Sequence, residues 1–214
     1  MNNRDRYIPA FRFAWLTPLY DPFQRWIMRE QTFKRALIQQ ARIADGQRVL
    51  DLGCGTGTLT IMLKQAHSRA AVVGLDGDAT VLALARAKAA RAGVAIVFDE
   101  ALAFQLPYPD GSFDRVLSSL MLHHLTTENK RRAFAEVRRV LNVGGEFHIV
   151  DFGEPHNFIA RGIALFARRL EQVADHIDGR LPPMLREVGF ADVVVTENFL
   201  TIVGTLALIT ARKV

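Results

Sequence analysis

Val49-Leu-Asp-Leu-Gly-Cys-Gly-Thr-Gly-Thr-Leu-Thr60 is the stretch on which the fold turns. A short apolar strand, Val49 to Leu52, carries an acid at Asp51 and runs into Gly53, Gly55 and Gly57. A helical pattern begins at Thr58. Glycines remove Cβ atoms and permit positive φ, so a ligand can press against the backbone at the strand end. The start of the helix offers N–H groups without helical partners. The pattern predicts a nucleotide-like ligand lying over the turn. A dinucleotide fingerprint would need its third glycine at position 58, which is Thr58. A pyrophosphate also prefers N–H donors with no carboxylate beside them. Asp51 suits a ligand that carries an amino group.

Outward from this stretch, strand and helix patterns alternate. Residues 58–66 predict a first crossover helix, and Ala71 to Leu75 a second strand ending at Asp76. Asp78 is placed to cap an alanine-rich helix that runs to Arg91 and stops at Gly93. Val94 to Phe98 and Phe113 to Ser119 predict strands three and four. Thr127 to Leu141 predicts a helix with Phe134, Val137 and Leu141 on one face, followed by strand five over Glu146 to Asp151. Such alternation predicts an α/β fold, a parallel sheet with helices on both faces. Val193–Val195 and Ile202–Ile209 lie too close together for a helical crossover, so they should pair antiparallel at the sheet edge.

The chain has 214 residues, enough for one domain with a sizeable core. Half of them are hydrophobic and 23% are charged, the balance of an ordinary globular protein. No apolar run reaches the ~18–20 residues needed to span a bilayer, and the N-terminus lacks a signal-type apolar core. Cytoplasmic location is the expectation. The single cysteine, Cys54, excludes an internal disulfide and a multi-cysteine metal site. The net charge is +5, but the basic residues are scattered and no nucleic-acid module is present, so no nucleic-acid partner is expected. Peripheral contact with an anionic membrane remains compatible with the charge.

With its neighbours, the glycine stretch resembles the first motif of the class I S-adenosylmethionine (SAM)-dependent methyltransferases, V-L-D-x-G-C-G-x-G. SAM carries an amino group, a carboxylate and a cationic sulfonium, and no phosphate. The resemblance implies a Rossmann-like methyltransferase fold of seven strands with an antiparallel last strand. It also implies SAM as cofactor without a metal, held by Asp51, Gly53, Cys54, Gly55 and Gly57. Asp76, followed by Gly77, is placed to accept the ribose hydroxyls. Leu106-Pro-Tyr-Pro-Asp-Gly-Ser-Phe-Asp114 resembles the family's L-P-F-x-D-x-S-F-D signature. The acid that usually receives the adenine amino group falls on Leu102 here, which shifts the expected adenine contact to backbone groups of Ala101 and Leu102.

Ser118-Ser-Leu-Met-Leu-His-His-Leu125 resembles the corresponding segment of the UbiE-like, type 11 methyltransferases. By that resemblance Ser118 and Ser119 line the methionine end of the cofactor, and His123 or His124 faces the methyl acceptor. Histidine titrates near neutral pH and can deprotonate a phenol or hold a hydroxyl. The Glu136–Asp151 segment matches E-x-x-R-V-L-K-P-G-G except that Asn142-Val143 replaces Lys-Pro, at the strand end remote from the cofactor. Asp151 ends strand five on the ligand side and is expected to approach the substrate.

One domain, 1–214, is expected. It divides into an aromatic helical cap over 1–45, a SAM-binding core over 46–152, a helical lid over 153–180, and a C-terminal helix and hairpin over 181–214. Ile159, Ile163, Phe166, Leu170, Val173 and Ile177 form the apolar stripe of the lid, and Tyr20 in the cap is a candidate substrate contact. The favoured reading is methyl transfer from SAM to a small-molecule or lipid-like acceptor. A quinone-ring C-methyltransferase and a phospholipid N-methyltransferase are the alternatives within that class. A SAM-binding protein without turnover is a further reading. An NAD-dependent oxidoreductase is the least favoured, because Thr58 and the Leu106–Asp114 segment speak against it. Oligomeric state is not legible.

Overall fold

A sheet buried on both faces needs apolar side chains in both directions, and the strands supply them. The structure, a computed structural model, describes residues 30–155, 171–201 and 204–214. The described elements run α1 (Glu30–Ala41), β1 (Arg48–Leu52), α2 (Thr58–Ala66), β2 (Ala71–Asp76), α3 (Ala79–Arg91), β3 (Val97–Glu100) and β4 (Phe113–Ser119). A single 3-10 turn (Leu122–His124) leads into α4 (Thr127–Val140) and β5 (Leu141–Phe152). Then follow α5 (Glu171–Ile177), α6 (Leu181–Glu187), β6 (Phe190–Thr201) and β7 (Gly204–Lys213).

The sheet order is β3-β2-β1-β4-β5-β7-β6. Strands β1 to β5 pair in parallel, and β7 runs antiparallel to both β5 and β6. The chain winds outward in opposite directions from the β1/β4 pair. That reversal opens a crevice at the carboxyl ends of β1 and β4. Alternation along each strand sends residues to opposite faces. Leu50, Leu52 and Val116 pack with Phe134 and Val137 of α4 and Leu185 of α6. Val49, Leu117 and Val150 pack on the other face with Phe33 and Leu37 of α1 and Leu59 and Leu63 of α2. Phe33 and Leu37 therefore pack the first helix onto the sheet.

The predicted elements hold with four local differences. The third strand begins at Val97, because Val94 and Ile96 pack against the α3 cluster before pairing starts. The helix after strand four ends at Val140, and Leu141 already pairs with Phe113. Residues 142–145 bulge before regular pairing resumes at Glu146, with Gly144 at φ 79. The C-terminal hairpin is longer than its two apolar cores, spanning Phe190–Thr201 and Gly204–Lys213. Residues 1–29, with Tyr20, and the 156–170 part of the apolar stripe lie outside the described residues. No helix among the described residues is long and apolar enough to cross a membrane.

Charged side chains lock the sheet at the end away from the crevice. The Asp114 carboxylate accepts the Arg48 N–H at 2.8 Å and the Asn142 side-chain amide at 2.9 Å. Arg115 Nε donates to the Ala41 carbonyl at 2.9 Å. A second lock explains two of the sequence motifs together. Arg139 of α4 donates to the carbonyls of Leu106 and Tyr108 at 3.1 and 2.7 Å, and to the Asp110 carboxylate at 2.9 Å. Glu136 accepts from both Arg139 and the Leu106 N–H. The Glu-x-x-Arg pair thus holds the Leu106–Asp110 loop by its backbone.

Candidate active site

The glycine turn has the shape that its sequence predicts. Gly53, Gly55 and Gly57 all have positive φ, at 73, 53 and 75. The N–H groups of Gly53 and Cys54 donate to the Leu75 carbonyl at 2.8 and 2.9 Å, which ties the turn to β2. A Cβ on Gly53 would lie 2.1 Å from Met121 Cγ, so the turn and the segment after β4 touch there. A Cβ on Gly55 would meet nothing within 4 Å. Open space therefore lies directly over that backbone. Cys54 is buried against Gly74, whose missing side chain leaves room for the sulfur and for Phe98.

Two carboxylates flank the turn. Asp51 is 1% exposed and accepts the Thr60 hydroxyl of α2 at 2.6 Å. Burial pushes it up to about 6, against the opposing pull of Thr60 and of the Lys34 charge on α1. Asp76 closes β2 and accepts the N–H groups of Gly55 at 2.9 Å and Asp78 at 3.1 Å. Burial raises its pKa, and those N–H groups hold it back. Gly77 adds a third N–H facing the same carboxylate. Asp78 caps α3 by accepting the Thr80 N–H at 2.8 Å.

The two serines at the end of β4 divide their work. Ser118, expected to face the cofactor, is fully buried and donates its hydroxyl to the Leu52 carbonyl at 3.1 Å. It ties β4 to β1. Ser119 Oγ is buried and without a hydrogen-bond partner. Alternation puts Ser119 on the face shared by Leu117 and Asp51, beside the start of the glycine turn. It is the serine left with a free polar atom. In the adenine region, the Ala101 N–H donates to the Asp76 carbonyl at 3.1 Å, and the Leu102 carbonyl accepts from Gln105 at 2.9 Å. Asp99, next to the missing acid, accepts the Tyr108 hydroxyl at 2.7 Å.

The donor set suits SAM. Carboxylates buried beside an open glycine backbone favour a cationic amine and ribose hydroxyls over a polyphosphate. Gly55 leaves the space that such a ligand needs, and Ser119 leaves one unspent polar atom.

On the other face of the crevice stands a histidine cluster. Asp151, expected to approach the substrate, is instead 1% exposed and turned inward. It accepts the Leu122 N–H at 2.8 Å, the Phe152 N–H at 2.8 Å and His123 Nδ1 at 2.8 Å. Burial alone would raise its pKa. The His123 and His176 charges, the His123 bond and the Phe152 N–H outweigh burial and hold it below the usual carboxylate range. A carboxylate can only accept, so His123 carries a proton on Nδ1, and Nε2 is the ring nitrogen turned away from that bond. The His123 ring lies 4.1 Å from the His124 ring, tilted by 42°, and meets the Phe152 ring edge-on at 4.9 Å. Burial holds His124 down at about 4, helped by the His123 charge, so His124 is neutral at physiological pH.

Sequence reasoning missed His176, whose Nδ1 lies 3.1 Å from the Phe152 carbonyl. It sits between Val173 and Ile177 of the apolar stripe, off the stripe itself and with no motif around it. The link between Asp151 and His123 was equally hidden, because 28 residues separate them.

The methyltransferase domain family matches residues 49–145. An uncharacterized methyltransferase of Synechocystis is 34% identical over 186 residues, covering 86% of this chain and 84% of that protein. The demethylmenaquinone methyltransferase of Thermus thermophilus is 36% identical over 145 residues. That match takes in 67% of this chain, which spans 65% of that enzyme's length. A SAM-dependent methyltransferase from Methanosarcina mazei superposes with a TM-score of 0.70 at 22% identity, covering 83% of this chain and 97% of its own. That likeness shows the shared fold. Identity sustained along most of two chains, on a turn built for this cofactor, makes the chain a member of the class I SAM-dependent methyltransferases, in their UbiE-like group.

Proposed function

We propose that the protein methylates a small acceptor that must lose a proton to become nucleophilic, of the reduced-quinone or phenol class. The observation that carries this reading is the 2.8 Å bond from His123 Nδ1 to buried Asp151, which fixes Nδ1 as the donor and makes Nε2 the nitrogen that would exchange a proton with the acceptor. Among relatives, the 36%-identical Thermus enzyme is named for demethylmenaquinone. Asp51 and Ser119 are assigned to the amino-acid end of SAM, Asp76 and Gly77 to the ribose. Gly53, Cys54, Gly55 and Gly57 form the floor, and the Leu102 N–H and Ala101 carbonyl are left for adenine.

When bound, SAM supplies a methyl group on a cationic sulfonium, a leaving group that needs no acid. The chain's own work is therefore alignment, exclusion of water and handling of one proton. Holding an acceptor in line can supply up to ~7–11 kcal/mol of barrier reduction. His123 Nε2 takes the acceptor's proton, and the Asp151 carboxylate offsets the imidazolium charge that results. Phe152 and His124 pack against the His123 ring and restrict its plane. His124, neutral, adds surface without competing for the proton.

Peripheral membrane contact draws little support from the arginines. Arg138, Arg139 and Arg186 donate to carbonyls of the protein itself. The test is incubation of the protein and methyl-labelled SAM with a short-chain demethylmenaquinone reduced by dithionite, beside phosphoethanolamine as the amine acceptor. Label in the quinone product supports the proposal. Label only in the amine, or in neither from protein that binds S-adenosylhomocysteine (SAH), overturns it.

A further inference from the structure

His176 is a histidine that stability alone does not account for. It lies on α5, is 1% exposed, and its Nε2 has no hydrogen-bond partner. A buried polar atom without a partner is a cost, and an apolar side chain of similar volume would avoid it. Its Nδ1 lies 3.1 Å from the Phe152 carbonyl, which can only accept, so that nitrogen carries the proton. The same Nδ1 is 3.7 Å from Asp151 Oδ1. His176 thus grips the Phe152–Gly153 peptide, just past the carboxylate, at the residue whose ring meets His123 edge-on. The His123 and His176 rings are 6.3 Å apart, with the carboxylate between their Nδ1 atoms.

The neighbour of His176 explains how it is seated. Asp175 is 2% exposed and accepts from Thr127 Oγ1 at 2.5 Å and from the buried Lys130 ammonium at 3.2 Å. Arg180 Nη1 lies 3.0 Å from its other oxygen. This knot joins α5 to the first turn of α4, a helix that starts three residues after the 3-10 turn bearing His123. One end of the fold therefore fixes both the base and the element that braces it.

We propose that His176 is a positioning residue that holds the Phe152–Gly153 peptide, and through it fixes the His123 ring and its Nδ1-protonated form. The proposal rests on the reading of His123 as the base, and adds the residue that aligns it. The groups facing this assembly are Asp151 and Phe152 from β5, His123 and His124 from the 3-10 turn, Thr127 and Lys130 from α4, and Asp175 from α5.

The test compares His176→Leu with His176→Asn in the full chain. An asparagine amide can occupy the Nδ1 position and keep the bond to the Phe152 carbonyl, whereas leucine cannot. Histidine-ring nitrogen spectra of labelled protein, recorded against pH, read the protonated nitrogen of His123 without any acceptor. In the parent and in His176→Asn, His123 should show the Nδ1-protonated form alone. In His176→Leu the Nε2-protonated form should appear beside it. If His176→Leu does not fold, His176→Gln, whose amide sits at the Nε2 position, takes its place in the comparison. An unaltered His123 spectrum in the folded leucine or glutamine variant overturns the proposal. So does an asparagine variant as perturbed as the leucine one. Because these spectra need no turnover, they separate this inference from the choice of acceptor. Failure of reduced demethylmenaquinone to accept label leaves the spectral test standing.

Discussion

Asp51 and Asp151 are equally buried, each 1% exposed near the carboxyl end of its strand, yet they have opposite acidities. Burial dominates at Asp51 and, with the Asp76 charge, lifts it to about 6, because the Thr60 hydroxyl and N–H and the Lys34 charge do not offset it. Burial acts on Asp151 as well, but two backbone N–H groups and His123 overcome it. The cofactor half of the crevice is electrostatically unfinished until a cation arrives. The acceptor half is complete before any ligand enters. Under the proposed assignment, SAM binding would draw partly on relieving the desolvated Asp51 carboxylate, whereas the proposed base is organised in advance.

The contrast is sharpened first at the acceptor half. His123→Ala should lower turnover by roughly 10²–10⁴-fold and leave SAH affinity within a factor of two or so by titration calorimetry. A parallel loss of SAH affinity would break the division between the halves. The next effect belongs to the turn. Gly53→Ala drives a Cβ into Met121 Cγ at 2.1 Å and holds alanine at φ 73, so SAH affinity should fall by roughly 10–100-fold and the melting temperature should drop. Gly55→Ala meets no protein atom, so it should weaken SAH binding with a smaller thermal loss. Equal thermal losses in the two variants would contradict this assignment of the space.

The two acids themselves give the third pair. The folded pKa of Asp51 is raised, so the folded state holds its proton more tightly than the unfolded chain does. Stability from this group therefore rises as pH falls through about 6 and is at its lowest above that value. Asp51→Asn should stabilise the free protein by about 2–3 kcal/mol at pH 7.5 while weakening SAH. The pH dependence of SAH affinity near pH 6 should vanish with it. Asp151 has the opposite sign: its contribution is present above the unfolded carboxylate pKa and is lost as pH falls through the depressed folded value. Asp151→Asn should destabilise at neutral pH by about 1–3 kcal/mol. Thermal melts of both variants from pH 4 to 8 check the signs, and melting shifts of the same sign at pH 7.5 would refute the comparison. Smallest of all, Val143→Ala on the exposed bulge of β5 should change stability by less than about 0.5 kcal/mol, with unchanged SAH binding.

The glycine turn, the strand order it implies and the acids at 51 and 76 were legible because each depends on residues close in sequence. A strand, three glycines and a cap are local facts. The C-terminal hairpin was legible from spacing, although its length was not, because partly polar edge residues such as Glu197 and Asn198 pair as readily as valines. The site beyond the turn was legible only in part. His123 and His124 were visible as a pair, but nothing in the sequence told which one a carboxylate would orient. Asp151 looked like a substrate contact because it ends a strand, and only the packing of the 3-10 turn against β5 shows it turned inward. Ser118 and Ser119 were indistinguishable until the strand register gave one a carbonyl and left the other bare. The Arg139 clamp could have been inferred from Glu136-x-x-Arg139 beside a proline-rich loop, since such a loop leaves carbonyls without helical or strand partners.

The burial of Cys54 has a practical consequence. Burial and the neighbouring charges of Asp51 and Asp76 push its thiol far above the ordinary range, so almost none is thiolate. Maleimide and iodoacetamide reagents will leave it untouched in the native protein. A cysteine introduced at Val143, 82% exposed on the far bulge of β5, would then be the one site that takes a dye. A fluorescent enzyme of defined stoichiometry follows from a single codon change, with the natural sulfur kept in place.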